Sequence, residues 1–274
     1  MLKDKIILIT GGCGTLGQAV TTELLEYNPK AIRLFDNSEY FHWHMKRKFT
    51  DPRLRFQIGD IRDRNRLFRA MTGVDIVIHT AALKHVDLAE YNPIEAVRTN
   101  IEGSINVIDT AIDQGVNKVL AISSDKAVHP INIYGATKLV MEKLIIQGNI
   151  YGDTQFSCAR FGNFEGSRGS LVSVIEQQLE QGNEVTITDK EMTRFWITID
   201  KASKFVVECI EIMKGGEIFI PKMSEASVTE VIRTLAPGAQ YKIIGRRPGE
   251  KLHELLFNED EVPVDCGDYF VIRG

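Results

Sequence analysis

Between Ser123 and Lys138 the chain reads SSDKAVHPINIYGATK, which places a carboxylate (Asp125), two amines (Lys126 and Lys138) and a phenol (Tyr134) in one short stretch. Tyr134 and Lys138 are four residues apart, so on a helix they share a face. A phenol with a reference pKa near ~10 is a poor base at neutral pH. A neighbouring positive charge favours the phenolate, and Tyr134 can then accept a proton from an alcohol. Asp125 and Lys126 form a second pair with opposed demands. An amine is a base only when neutral, and a carboxyl is an acid only when protonated. The site therefore calls for Lys126 with a lowered pKa and Asp125 with a raised one. Neighbours on a strand point to opposite faces, so the two share a site only where the strand ends near Ser124. His129 precedes a proline, which disfavours continued regular structure there.

Six runs read as strands: KIILIT, AIRLFD, LRFQIGD, DIVIHTAA, KVLAISS and QFSCARF. Each is continuously apolar rather than alternating, as in parallel strands covered on both faces. Between them LGQAVTTELLEY, DRNRLFRAM, PIEAVRTNIEGSINVIDTAIDQG and YGATKLVMEKLIIQG have helical spacing. This alternation predicts an α/β protein with a Rossmann-type doubly wound parallel sheet over residues 1–161. After Phe161 the rhythm changes. Residues 162–274 read as a smaller C-terminal α/β lobe without a distinct linker, and a cleft between the lobes is expected.

Gly11, Gly12, Gly14 and Gly17 lie between the first strand and the first helix, in ITGGCGTLGQAV. They contain a G-x-G-x-x-G and a G-x-x-G-x-x-G. Glycine permits the tight turn and close backbone approach to a pyrophosphate, which the helix N-terminus then attracts. With Thr15 and Leu16 these residues are expected to hold a nicotinamide dinucleotide. Hydride can then leave the carbon whose hydroxyl Tyr134 deprotonates, while Lys138 holds the nicotinamide ribose. Asp36 ends the second strand, where a carboxylate accepts from the adenosine ribose and repels a 2′-phosphate, favouring NAD over NADP. Asn37 and Ser38 follow it. Asp60 and Ile61 end the third strand; Asp60 is either an adenine contact or a turn carboxylate. Ala81, Ala82 and Lys84 follow the fourth.

The net charge of −4 and pI near 5.9 argue against a general nucleic-acid binder. The four cysteines lack C-x-x-C spacing, and no metal site is expected. His42 and His44 in FHWH read as a helix surface or an oligomer contact. No run spans a bilayer, and a cytoplasmic homo-oligomer is expected.

The glycine pattern, Ser124 and Tyr134-x-x-x-Lys138 resemble the extended short-chain dehydrogenase/reductases that act on nucleotide sugars. SSDKAVHPINIYGATK, AALKHVDLAEYNPIEAVRTNI, ARFGNFEGSRGS, EMTRFWIT and RPGEKLHE together resemble the UDP-N-acetylglucosamine 4,6-dehydratases of the pseudaminic-acid and capsule pathways. That resemblance implies an internal redox reaction. Tyr134 deprotonates the C4 hydroxyl as hydride departs, Lys126 removes the C5 proton, and Asp125 protonates the leaving C6 hydroxyl. Lysine at 126 with Tyr134 retained resembles the C5-inverting enzymes. The resemblance also implies Asn100 near the cofactor and Lys84 at cofactor or substrate. Asn163, Arg168, Ser170, Arg194 and Arg247 are implied at the diphosphate, and Glu250 at the uridine ribose. Cys13 and Leu16 depart from the family's commoner Thr and Phe, and relatives continue past DYFVIRG. A 4-epimerase, a retaining or 5,6-dehydratase, and a non-catalytic dinucleotide sensor are the competing readings.

Overall fold

The computed structural model describes residues 2–166, 171–182 and 184–273. Arg168 and Ser170 lie outside the described residues. Six strands occupy the six expected runs: β1 (Ile6–Thr10), β2 (Ala31–Asp36), β3 (Leu54–Ile58), β4 (Ile76–His79), β5 (Lys118–Ser124) and β6 (Gln155–Phe161). They are interleaved with α1 (Thr15–Leu25), α2 (Glu39–Lys48), α3 (Arg64–Met71), α4 (Val86–Tyr91), α5 (Pro93–Val97), α6 (Gly103–Asp113) and α7 (Ile133–Gln147). One π-helical turn, Arg98–Glu102, joins α5 to α6.

The chain continues through β7 (Asn163–Glu165), α8 (Leu171–Glu180), β8 (Val185–Ile187), β9 (Thr193–Thr198), α9 (Ile199–Ile212) and β10 (Glu217–Pro221). It ends with β11 (Ser224–Ser227), α10 (Val228–Leu235), β12 (Tyr241–Ile243), β13 (Val264–Asp265) and β14 (Tyr269–Arg273). The main sheet has the order β13-β14-β10-β6-β5-β4-β1-β2-β3. From β3 to β10 every pairing is parallel, and β14 and β13 close the edge antiparallel. The chain thus crosses back over residue 161, because β10 sits beside β6 and β14 beside β10. The smaller lobe itself comprises the β11-β9-β7 sheet, the β8–β12 pair, α8 and α10. Its core is Ile175, Val185, Ile187, Met192, Val228 and Ile232.

Both faces of the sheet are buried at its central strands β1, β4, β5 and β6, which explains their unbroken apolar runs. Ile7 and Ile9 of β1 pack with Val20, Leu24, Val206 and Ile210 from α1 and α9. Leu8 between them points to the other face, with Leu67, Val107, Met141 and Ile145 from α3, α6 and α7. Every such fully buried aliphatic side chain contributes about 1.5–3 kcal/mol.

Two glycines are needed where the phosphate loop meets the sheet. Gly11 has φ +66°, and a Cβ there would lie 2.8 Å from the backbone of Ala81. A Cβ on Gly17 would lie 2.6 Å from the Gly12 carbonyl, so only glycine lets α1 start this close to the loop. Among the described residues no helix is long and apolar enough to cross a membrane.

Candidate active site

A cleft of about 840 Å³ runs from the phosphate loop, across the carboxyl ends of β1, β4 and β5, to the smaller lobe. At the cofactor end its walls include the loop residues Gly11, Gly14, Thr15, Leu16 and Gly17, with Asp36, Asn37 and Ser38 after β2. Asp60, Ile61, Ala81, Ala82 and Lys84 line it too. At the other end lie Ser124, Lys126, Tyr134 and Lys138, facing Asn163, Arg194, Arg247 and Glu250.

Strand β5 ends at Ser124, and Asp125–Ala127 form a single 3₁₀ turn. Ser124 caps that turn, its Oγ accepting from the Lys126 amide at 3.3 Å. The alternation of the strand is broken there, so the side chains of Asp125 and Lys126 meet rather than diverge. Lys126 Nζ donates to Asp125 Oδ1 at 3.1 Å, and Ser124 Oγ donates to the same oxygen at 2.9 Å. Asp125 is fully buried, is not part of the cleft wall, and its Oδ2 has no hydrogen-bond partner among the described residues. It meets the cleft through Lys126 and Ser124.

Helix α7 is docked on this turn. Asn132 caps it, accepting from the Gly135 amide at 2.7 Å, and a Cβ on Gly135 would collide with the Lys126 carbonyl. Tyr134 and Lys138 are both buried on this helix. Lys138 Nζ donates to the Ile122 carbonyl at 2.7 Å. Burial lowers its pKa to about 8, against the pull of Cys158 and Glu142.

Two electrostatic expectations are corrected. Burial does work against the Lys126 ammonium, but the carboxylates of Asp125 and Glu254 outweigh it and raise the pKa above the ordinary lysine value. Burial likewise raises Tyr134, and the opposing charge comes from Lys126, with help from the Ser124 hydroxyl, rather than from Lys138. In the protein alone, therefore, Lys126 is an ammonium and Tyr134 a phenol at neutral pH.

A family model described as polysaccharide biosynthesis protein matches residues 7–273. The chain belongs to that family. Within the polysaccharide biosynthesis proteins, it is 48% identical to a UDP-N-acetylglucosamine 4,6-dehydratase (inverting) from Campylobacter jejuni, over 95% of this chain and 80% of the relative. It is 38% identical to a UDP-glucose 4-epimerase from Rickettsia canadensis, over 99% of this chain and 84% of that protein. The solved structure of Pen from Bacillus thuringiensis superposes with a TM-score of 0.96 at 41% identity, covering all of this chain and 87% of that one. The fold is shared with a dTDP-glucose 4,6-dehydratase from Streptomyces venezuelae, solved with NAD bound. The TM-score there is 0.85 at 24% identity, covering 91% of this chain and 87% of that one.

Several positions of this polysaccharide biosynthesis protein differ from the expected roles. Asn100 sits in the π-helical turn outside the cleft wall; its amide exchanges hydrogen bonds with Leu83 N (2.8 Å) and O (3.0 Å) and donates to Thr137 Oγ1 (2.9 Å). It ties the π-helical turn and the loop after β4 to α7 at Thr137, whose hydroxyl donates to the Tyr134 carbonyl. Arg194 lines the cleft, but its terminal nitrogens donate to the carbonyls of Thr193, Lys251 and Leu252 at 2.7–3.1 Å. His42 is buried rather than on a helix surface, 3.4 Å from Cys13 Sγ and 3.1 Å from the Asp36 carbonyl. Glu254, 4% exposed on the cleft wall, was not anticipated, although it closes the RPGEKLHE block.

Proposed function

We propose that this protein dehydrates UDP-N-acetylglucosamine to a UDP-4-keto-6-deoxy-N-acetylhexosamine with inversion at C5. The observation that carries the reading is the Lys126–Asp125 pair beside Tyr134, an amine and an acid that a 4-epimerase does not need. A nicotinamide dinucleotide, when bound, accepts hydride from C4 and later gives it to C6. The glycine cradle and Asp36 fit that group. The Asp36 carboxylate is held by the amides of Cys13 (3.2 Å) and Ser38 (3.0 Å), and its charge favours NAD over NADP.

Tyr134, whose phenolate the Lys126 ammonium and the positive charge of a bound nicotinamide would favour, takes the C4 hydroxyl proton, and Lys138 binds the ribose beside it. The C4 ketone acidifies the C5 hydrogen, which Lys126 removes. Asp125 supplies a proton to the C6 hydroxyl through the Ser124 hydroxyl, which joins it to the cleft wall, and water leaves. A proton from solvent then returns to C5 on the opposite face, the proton on Tyr134 passes to solvent, and the one gained by Lys126 restores its ion pair with Asp125. The resting ion pair is one proton transfer from what elimination requires. Moving a proton across the 3.1 Å from Lys126 Nζ to Asp125 Oδ1 gives a neutral amine and a carboxylic acid with no change in net charge. Positive charge from the bound nicotinamide favours that transfer. Asn163, Arg247 and Glu250 are assigned to the sugar nucleotide, Lys84 to cofactor or substrate, and Asn100 and Arg194 to positioning.

Proton NMR of UDP-N-acetylglucosamine incubated with the protein in deuterium oxide tests the assignment. A new 6-methyl signal, deuterium at C5 and inverted C5 couplings are expected. Product that stops at the 4-keto sugar, or is only UDP-N-acetylgalactosamine, overturns it.

A further inference from the structure

The reaction above gives Glu254 no role, yet the fold places its carboxylate where it cannot be neutral in effect. Its Oε1 is 3.4 Å from Lys126 Nζ and its Oε2 is 3.3 Å from Lys251 Nζ. A buried carboxylate is retained only where partners compensate its lost hydration. Here a whole segment is fastened to hold it. Asn132, the cap of α7, donates to the Gly249 carbonyl at 2.7 Å. Arg194 holds the carbonyls of Lys251 and Leu252, and Lys251 itself donates to the Val128 carbonyl. The tie points are the 3₁₀ turn's exit, the cap of α7 and β9, so Glu254 is fixed relative to the base.

The Lys126 ammonium therefore stands between two carboxylates, Asp125 on its own turn and Glu254 on the segment packed against it. The other titratable groups facing it are Tyr134 on α7 and Arg194 on β9, with Lys251 behind Glu254. Asp125 can take the proton that Lys126 must lose. Glu254, farther from the amine at 3.4 Å, holds the proton back, since a carboxylate beside an amine favours its charged form.

We propose that Glu254 is a positioning residue for the elimination, aiming the Lys126 amine and setting the proton affinity of the C5 base. The proposal rests on the dehydratase reading for its meaning, but not for its first test. A carboxylate this close typically moves a partner's pKa by about one to three units. Selective ¹³C labelling of lysine, with Lys126 assigned through Lys126→Arg, follows the titration of its Cε in the protein without substrate. In Glu254→Gln the Lys126 titration moves down by about one unit or more. In Lys251→Met, which removes the cation that shares Glu254, it moves up.

The second arm measures deuterium entry at C5 against pH. With Glu254→Gln the acid limb moves to lower pH, while C4 oxidation, read as nicotinamide reduction, keeps more of its rate. Glu254→Asp restores part of the wild-type profile. An unshifted Lys126 titration in folded Glu254→Gln overturns the proposal. So does a loss of rate equal at all pH values, which is the mark of a merely structural residue. Should Glu254→Gln not fold, a Lys126 titration that fails to rise in Lys251→Met overturns it equally. Absence of any 4-keto-6-deoxy product from the wild type would instead defeat the dehydratase reading, leaving the titration arm to judge Glu254.

Discussion

Lys126 Nζ lies 3.1 Å from Asp125 Oδ1, although the two are adjacent in sequence and would face opposite sides of a continued strand. The 3₁₀ turn after Ser124 brings them together. The separation of base from hydride chemistry can be tested at this pair. Lys126→Ala lowers elimination by about 10²–10⁴-fold, the usual range for a lost general base. Nicotinamide reduction on adding UDP-N-acetylglucosamine persists, because Tyr134 is untouched. Equal loss of both steps would show that Lys126 acts in C4 oxidation instead.

The joint between α7 and the turn is steric. Gly135→Ala adds a methyl group aimed at the Lys126 carbonyl. Backbone must shift there, and overpacking of this kind typically costs about 1–3 kcal/mol. Urea denaturation reads that loss, and turnover falls by more than the unfolded fraction explains, since Tyr134 and Lys126 move apart.

The proposed preference for NAD rests on Asp36. Asp36→Ser removes a charged acceptor whose hydrogen bonds to a ribose contribute about 1.5–3 kcal/mol. NAD binding, measured by calorimetry, weakens about 10- to 100-fold, while NADP binding improves relative to it. Unchanged discrimination would place specificity elsewhere.

Arg160 is fully buried and joins Glu142 of α7 (2.8 Å) to Glu261 of the C-terminal segment (2.9 Å). Arg160→Ala strands both carboxylates and costs about 3–5 kcal/mol. Burial pushes Glu261 up, but hydrogen bonds from Arg160 and the Asn258 amide outweigh it and leave its pKa below the ordinary 4.5. A depressed carboxylate stabilises the fold fully above its unfolded value and loses that contribution as pH falls through the folded value. Urea denaturation at a series of pH values checks the sign. Wild-type stability declines below about pH 4.5 more steeply than that of Glu261→Gln.

The parallel core was legible because both faces of the central strands are covered, leaving runs such as IILIT without polar interruption. The end of β5 was legible too, from the need for Asp125 and Lys126 to meet and from Pro130. The charge states were not. The charge on Lys126 is held by Asp125 beside it and by Glu254, which is distant in sequence and is brought there by the ties of Arg194, Asn132 and Lys251. The burial of His42 was hidden for a similar reason. FHWH shows two histidines at i, i+2, and only the packing of α2 against the phosphate loop tells which faces inward.

The return of β10 and β14 to the main sheet has a consequence for how the molecule can be divided. A fragment cut at residue 161 would leave β6, with Phe156, Cys158 and Ala159 buried in the whole protein, as a bare parallel edge. Unpaired apolar edges recruit other chains. The smaller lobe is therefore not a cassette that can be exchanged between scaffolds by joining at a single point. Recombination would have to preserve both excursions into the smaller lobe, β7 to β9 and β11 to β12, and the strands β10, β13 and β14 that follow them in the main sheet.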